Sequence, residues 1–126
     1  SFDLSEAIEM HFSPLCFILL ERRKAPEVLL HLGLDDDLYH HEKGLITKKE
    51  IRAVGLSLLE IQPGHTVWDL GAGCGSVAIE ASFLAHRGMV FAIERTTERI
   101  EQIRQNIQRT GAYIVEPVCG EMPGCL

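Results

Sequence analysis

The sequence contains no hydrophobic run long enough to span a membrane. Its longest apolar stretch, Leu15 to Leu20, is only strand-sized, whereas a spanning helix needs about 20 residues. We therefore expect no membrane partner.

Positive charge is also scarce. The chain has 12 lysines and arginines against 18 aspartates and glutamates, which gives a formal net charge of −6. Proteins that bind a phosphate backbone usually present a basic face. The composition therefore predicts no nucleic-acid partner.

Paired cysteines and metal-ligand spacings are missing as well. The four cysteines form no CxxC pair, so we interpret them as free thiols of a cytoplasmic protein. Asp35, Asp36 and Asp37 stand near His40 and His41, but the HxH, HExxH and calcium-loop spacings are absent. We interpret this stretch as a solvated acidic loop and predict no metal.

The most informative stretch is a short apolar run followed by a glycine-rich loop. Val67 to Leu70 is typical of a buried strand, and Gly71, Gly73 and Gly75 then alternate with other residues. Ser76 to His86 has helical character. Strand, tight turn and helix start together indicate a nucleotide-type site of an α/β protein.

The elements that follow repeat this pattern. Met89 to Ile93 is a second buried strand, a helix capped by Thr96 or Thr97 ends at Gly111, and Tyr113 to Val115 is a third strand. Glu116 to Leu126 is predicted as a loop. Right-handed crossovers give strand order 3-2-1, the first half of a Rossmann-like, doubly wound parallel sheet. Strand one should be central in a complete domain but an exposed edge here.

The part before the glycine loop is predicted to contain one helix. Thr47 and Glu50 fit a capping box, and Ile51, Val54 and Leu58 form an apolar face that should pack beside the sheet. We interpret residues 25–46 as a connector. In residues 1–24, the stretch from Leu15 to Leu20 fits a buried strand or a core helix.

Three ligand classes use such a glycine turn. A P-loop needs GxxxxGK[ST], but residues 71–80 contain no lysine or arginine. A dinucleotide fingerprint needs a sixth-position glycine, where this chain has Ser76. S-adenosylmethionine fits better, because it has no pyrophosphate and its carboxylate can face amides at a helix start. Glu94, which follows the second strand, is placed to bind its ribose.

The segment Asp69-Leu70-Gly71-Ala72-Gly73-Cys74-Gly75 resembles motif I of class I S-adenosylmethionine-dependent methyltransferases. Together with Gly33 to Asp36, Leu45 to Ala53 and Val67 to Glu80, it resembles more narrowly the C15-methylating domain of decarboxylating precorrin-6Y C5,15-methyltransferases. The similarity runs from about Gly33 to the end of the chain.

This resemblance implies a set of cofactor-binding positions. They are Thr47, the motif I residues Gly71, Ala72, Gly73, Cys74 and Gly75, the ribose-binding acid Glu94, and Glu121 and Met122 beside the adenine. Glu121 and Met122 depart from the family's usual Gly-Asp/Asn-Ala-Pro sequence. Cys74 stands where the family has small residues, and we interpret its thiol as inert packing. No catalytic residue is assigned.

The resemblance also implies the reaction: methylation of a precorrin at C15, with loss of carbon dioxide from the C12 acetate. Residues 1–24 would be the tail of a preceding tetrapyrrole methylase domain, and residues 47–126 the cofactor-binding half of the methyltransferase domain. Tetrapyrrole-binding segments would follow strand three. We further expect a homo-oligomer. Two alternatives stay open: a methyltransferase acting on another small molecule, and an inactive truncated fragment.

Overall fold

The computed structural model describes residues 9–17, 19, 25–42, 44–121 and 124. Their regular elements are three strands and three α-helices, with one short 3-10 helix at Asp36–Leu38. The strands are β1 (Thr66–Leu70), β2 (Met89–Glu94) and β3 (Val115–Cys119), and the helices are α1 (Lys49–Leu58), α2 (Ser76–Leu84) and α3 (Thr97–Thr110).

The strands form one parallel sheet in which β2 lies between β1 and β3. The predicted order 3-2-1 and the half Rossmann-like fold are therefore confirmed. Leu70 is paired with Ile93, and Glu94 with Cys119. The carboxyl ends of all three strands consequently meet at one edge, where ligands bind in folds of this type.

The core lies between the sheet and helices α2 and α3. Each of these elements contributes fully buried side chains to the core. They are Val90 and Ala92 of β2, Ala78 and Ile79 of α2, and Ile103 of α3. Burying a large aliphatic side chain contributes about 1.5–3 kcal/mol. This packing fixes the start of α2 against the strand ends.

The opposite face of the sheet is more open. Trp68 and Phe91 are register partners and their rings stack with centroids 4.6 Å apart, while Trp68 is 48% and Leu70 55% exposed. Strand β1 is therefore the exposed edge that we expected, and it is not buried within the described residues.

Helix α1 differs from the prediction in its start and in its buried face. It begins at Lys49, its N-cap is Lys48, and no side chain caps it, so the capping box of Thr47 and Glu50 does not form. The apolar residues Ile51, Val54 and Leu58 are 59–78% exposed. The buried residues are instead Arg52 and Leu56. The side of α1 that faces the protein therefore carries the charged Arg52 side chain, and the apolar residues of the predicted face point to solvent.

The other helices agree better with the sequence. Helix α2 begins at Ser76 as predicted but ends at Leu84. Helix α3 follows Thr96, whose side chain makes no capping hydrogen bond, and ends at Gly111, which has a left-handed φ of 70°.

Strand β3 is longer and later than the prediction. It covers Val115–Cys119 and includes Pro117, which is paired with Ala92. The prolines and glycines from Pro117 to Gly124 predict a loop from Glu116 onward. An edge strand tolerates proline, and β3 is an edge in the described sheet.

The segment before α1 packs more tightly than a connector should. Val28, Leu34 and Tyr39 are buried in the core, and the amide of Val28 donates to the carbonyl of Arg109 at 3.0 Å. The acidic stretch inside this segment is also not fully solvated, since the side chain of Asp36 is only 18% exposed.

The predicted strand or helix at Leu15 to Leu20 is not seen where the structure describes that stretch. Leu15 and Phe17 are outside any helix or strand and are 97% and 92% exposed, while Ile18 and Leu20 lie outside the described residues. The assignment of residues 1–24 to a preceding domain stays a prediction. In the part of the chain that is described, no helix has both the length and the apolar character to cross a bilayer.

Gly88 offers a test of the turn that leads into β2. A Cβ atom at this position would lie 2.0 Å from the carbonyl oxygen of His65, so that backbone would have to shift. We expect Gly88→Ala to lower the free energy of unfolding by about 1–3 kcal/mol, measured by urea denaturation. The control is Gly64→Ala, where a Cβ meets nothing within 4 Å; equal stability losses would contradict the structure.

Candidate functional site

The glycine loop joins β1 to α2 in a conformation that favours glycine at three positions. Gly71, Gly73 and Gly75 have φ values of 81°, 58° and 81°, a region that side chains with a Cβ rarely adopt. At Gly75 a Cβ would also lie 3.0 Å from Ile103. The loop therefore needs its glycines both for the turn and for close packing on α3.

Backbone hydrogen bonds hold this loop against the neighbouring strand. The amides of Gly71 and Ala72 both donate to the carbonyl of Ile93 at 2.9 Å, and the amide of Gly75 donates to Ala72 at 2.8 Å. The carbonyl of Cys74 accepts a hydrogen bond from the buried side chain of Asn106 at 2.9 Å. These bonds hold the loop against β2 and α3.

Glu94 stands at the end of β2 and binds two loops at once. One carboxylate oxygen accepts from the amide of Gly73 at 3.1 Å. The other accepts from the amides of Arg95 at 2.9 Å and Thr96 at 3.0 Å. Burial disfavours the charge, but the amide and side chain of Thr96, the amide of Gly73 and nearby Arg99 outweigh it and hold the pKa of Glu94 below its usual value of 4.5. The side chain is therefore an anion at neutral pH.

Several donors surround the carboxylate of Glu94. Besides the three backbone amides, the side chain of Thr96 hydrogen-bonds to it. The guanidinium of Arg99 lies 3.9 Å from the oxygen that binds Gly73. Because Glu94 lines the second cavity, its negative charge favours a hydroxyl donor there.

Two adjoining cavities open at the carboxyl ends of the strands. The first has a volume of about 370 Å³. It is lined on one side by the glycine loop and the start of α2, and on the other by a segment that contains Ile46 and Thr47. The second, of about 480 Å³, is lined by Glu94, Gly120 and Glu121. Gly71 and Arg99 line both, so the two cavities adjoin, and we refer to them together as the cleft. Both volumes lie in the range of small-molecule sites.

Most of the predicted site residues meet in this cleft. Thr47, Gly71, Ala72, Gly73 and Cys74 line the first cavity, and Glu94 and Glu121 line the second. Gly75 lines neither and acts as the N-cap of α2. Met122 lies outside the described residues. Whether these side chains contact a cofactor stays a prediction.

Sequence reasoning missed three polar residues of the cleft. Asp69 precedes the glycines at the end of β1, where its position could have marked it. Arg99 is in the first turn of α3 and Glu42 precedes α1; their side chains pair at 3.3 Å beside the first cavity. No local sequence pattern predicts the pairing of Arg99 with Glu42, because the two residues are 57 positions apart.

The cleft can bind an elongated polar molecule with hydroxyl groups and a carboxylate. Ser76 and Val77 of the first turn of α2 line the first cavity. Their amides have no partners within the helix, whereas the amide of Ala78 donates to Asp69. Such a helix start favours a negative group. The ionised Glu94 favours hydroxyl donors at the other end. In the described part of the chain, no cluster of three His, Cys, Asp or Glu residues could hold a metal ion.

Comparison with known proteins agrees with this geometry. A family model described as "Precorrin methyltransferase domain" matches residues 37–126, which is more than half of the chain. The chain belongs to this family. The resemblance drawn from the sequence is confirmed, and the fold is that of a methyltransferase of this family.

Two relatives of this family illustrate the similarity. The precorrin-6Y C(5,15)-methyltransferase (decarboxylating) of a Sinorhizobium species is 35% identical over 93% of this chain and 28% of its own length. The crystal structure of precorrin-6Y C5,15-methyltransferase from Geobacter metallireducens matches with a TM-score of 0.70 and 44% identity, over 73% of this chain and 48% of that one. The chain thus spans half or less of these relatives.

A more distant solved structure bears on the ligand. The RNA methyltransferase from Salinibacter ruber, in complex with S-adenosyl-L-homocysteine, matches with a TM-score of 0.56 and 27% identity, over 61% of this chain and 50% of that one. The same fold therefore holds this product of methyl transfer in another methyltransferase.

Asp69 provides a test of the electrostatics of the cleft. Burial raises its pKa above 3.8, and the charge of Glu94 adds to this, although the amide of Ala78 donates to it at 3.1 Å. A raised pKa in the folded state means that ionised Asp69 destabilises the fold, and this penalty grows as the pH rises from about 3.8. An asparagine keeps an acceptor for Ala78 without the charge.

We therefore expect Asp69→Asn to be more stable than the wild type at pH 7, with a difference that disappears near pH 3. Thermal unfolding across this pH range measures the effect. Asp37→Asn, at an exposed position, is the control. A gain that is largest at pH 3 would contradict the assignment.

Proposed function

We propose that this chain is the cofactor-binding half of a methyltransferase domain and that it binds S-adenosylmethionine in the cleft at the strand ends. The observation that carries the proposal is the ionised Glu94 carboxylate, which lines the second cavity beside the glycine loop. Residues 71–80 supply no lysine or arginine for a phosphate, and Arg99, which lines the cleft, is already paired with Glu42. A nucleoside with an amino-acid tail suits this combination better than a nucleotide does.

The cleft has a different chemistry at each end. Glu94 would accept a hydrogen bond from one ribose hydroxyl in the second cavity, near Glu121. The first turn of α2 would face the carboxylate of the amino-acid tail in the first cavity, with Thr47 on the opposite wall. Met122 is proposed beside the adenine on the resemblance alone. Gly71, between the two cavities, lets the ligand lie close to the backbone.

The proposed reaction is transfer of the methyl group to C15 of a precorrin, with loss of carbon dioxide from the C12 acetate. The support for this substrate is membership of the precorrin methyltransferase family and the name of the Sinorhizobium relative. The bound sulfonium supplies an activated methyl group. The residues of this chain would align it and keep water away, which is the main requirement of an in-line displacement.

The chain alone is proposed to bind the cofactor without turning over a precorrin, because it spans half or less of its relatives. A methyltransferase of the same fold that acts on another small molecule is the alternative, and it shares the cofactor site. A cytoplasmic location and a homo-oligomeric state are part of the proposal and need separate tests.

Calorimetry tests the cofactor assignment. We expect the protein to bind S-adenosylmethionine and S-adenosylhomocysteine more tightly than NAD. Glu94→Gln should weaken both by about 1–3 kcal/mol, the cost of a lost hydrogen bond to a charged group. Titrations are made at a temperature where circular dichroism shows the variant to be folded.

The control is Glu101→Gln in α3, whose side chain is 58% exposed and lines neither cavity. It should bind like the wild type. Tighter binding of NAD than of S-adenosylmethionine, or an unchanged affinity in Glu94→Gln, would show that the proposed site is wrong.

A further inference from the structure

Arg52 is a fully buried cation in the first turn of α1. Its Nε donates to Glu80 at 2.7 Å and its Nη1 to Asp36 at 2.7 Å. It also donates to the backbone carbonyls of Thr47 and Leu34. One side chain therefore binds four separate points of the chain, which is possible because the guanidinium group presents five donors in a planar fork.

Glu80 is the partner of Arg52 on α2, and it is equally buried. Its two oxygens also accept hydrogen bonds from the amide of Gly33 at 2.8 Å and the hydroxyl of Tyr39 at 3.2 Å. Burial raises the pKa of Tyr39, and the charge of Glu80 raises it further, so the hydroxyl stays a donor. The buried charges are thus paired and hydrogen-bonded.

Stability alone does not account for such a pair. Desolvation cancels much of the attraction between two buried charges, and apolar side chains of similar volume often stabilise a fold equally well. We therefore ask which parts of the chain the pair of Arg52 and Glu80 holds together.

The pair connects the two walls of the first cavity. Thr47, whose carbonyl Arg52 binds, lines one wall. Ser76 lines the other wall at the start of α2, and Glu80 lies four residues later on the same face of that helix. A continuous series of hydrogen bonds therefore connects the backbone of Thr47 to Arg52, and Arg52 to Glu80 on α2.

We propose that Arg52 and Glu80 are positioning residues that set the distance between the Thr47 wall and the α2 wall, and so govern binding of the amino-acid end of the cofactor. This inference rests on the proposed function. The second cavity, where Glu94 would bind the ribose, is lined by neither wall segment. Loss of the pair should therefore affect the two ends of the ligand differently.

The experiment compares S-adenosylhomocysteine with 5′-methylthioadenosine, which keeps the nucleoside but lacks the amino-acid end. Arg52→Lys retains the charge, but a single ammonium group cannot replace the planar fork. We expect S-adenosylhomocysteine to bind about tenfold more weakly to this variant, equivalent to about 1.4 kcal/mol. The affinity for 5′-methylthioadenosine should stay unchanged.

Two further variants separate positioning from stability. The double variant Arg52→Met/Glu80→Leu removes the buried charges and keeps an apolar core, so it should fold and show the same selective loss. Val115→Ala removes core volume in β3, away from the cleft. It should lower the melting temperature without changing either affinity.

The possible failures are distinguishable. If the wild type binds neither ligand, the proposed cofactor site is wrong and this inference falls with it. If the wild type binds and the folded variants keep their affinity for S-adenosylhomocysteine, or lose both ligands equally, the positioning role is wrong and the proposed site stands.

Discussion

The candidate site depends on one carboxylate that is held by backbone amides. Glu94 at the end of β2 accepts hydrogen bonds from Gly73 in the glycine loop and from Arg95 and Thr96 at the start of α3. These bonds stabilise its charge and join the ends of two strands to a helix start. The group proposed to bind the ribose is therefore also the group that shapes the loop, so the cleft is organised in advance.

The parts of the fold that local sequence encodes were predictable. The apolar run before the glycines, the glycine loop and the start of α2 at Ser76 agree with the structure, because each depends on residues adjacent in sequence. Gly111 ends α3 in the left-handed backbone conformation, which glycine adopts more readily than other residue types. The order of the strands followed from the handedness of parallel crossovers. Glu94 could be located because the end of β2 is also a local feature.

The features that depend on distant contacts were not predictable. The apolar stripe of α1 pointed to a buried face, but Arg52 is buried instead because Glu80, 28 residues away, neutralises it. Likewise, the pairing of Arg99 with Glu42 joins residues far apart in sequence. Pro117 suggested a loop, whereas its place in an edge strand makes it acceptable. In each case a partner remote in sequence decides the outcome, and periodicity cannot report it.

We propose that the cleft at the strand ends binds S-adenosylmethionine through Glu94 at one end and the start of α2 at the other. A crystal structure of the protein with S-adenosylhomocysteine tests this most directly. The account predicts a ribose hydroxyl within hydrogen-bonding distance of the Glu94 oxygen that binds Gly73, and the amino-acid carboxylate between Ser76 and Thr47. A ligand bound away from the glycine loop, or with its ribose remote from Glu94, would contradict it.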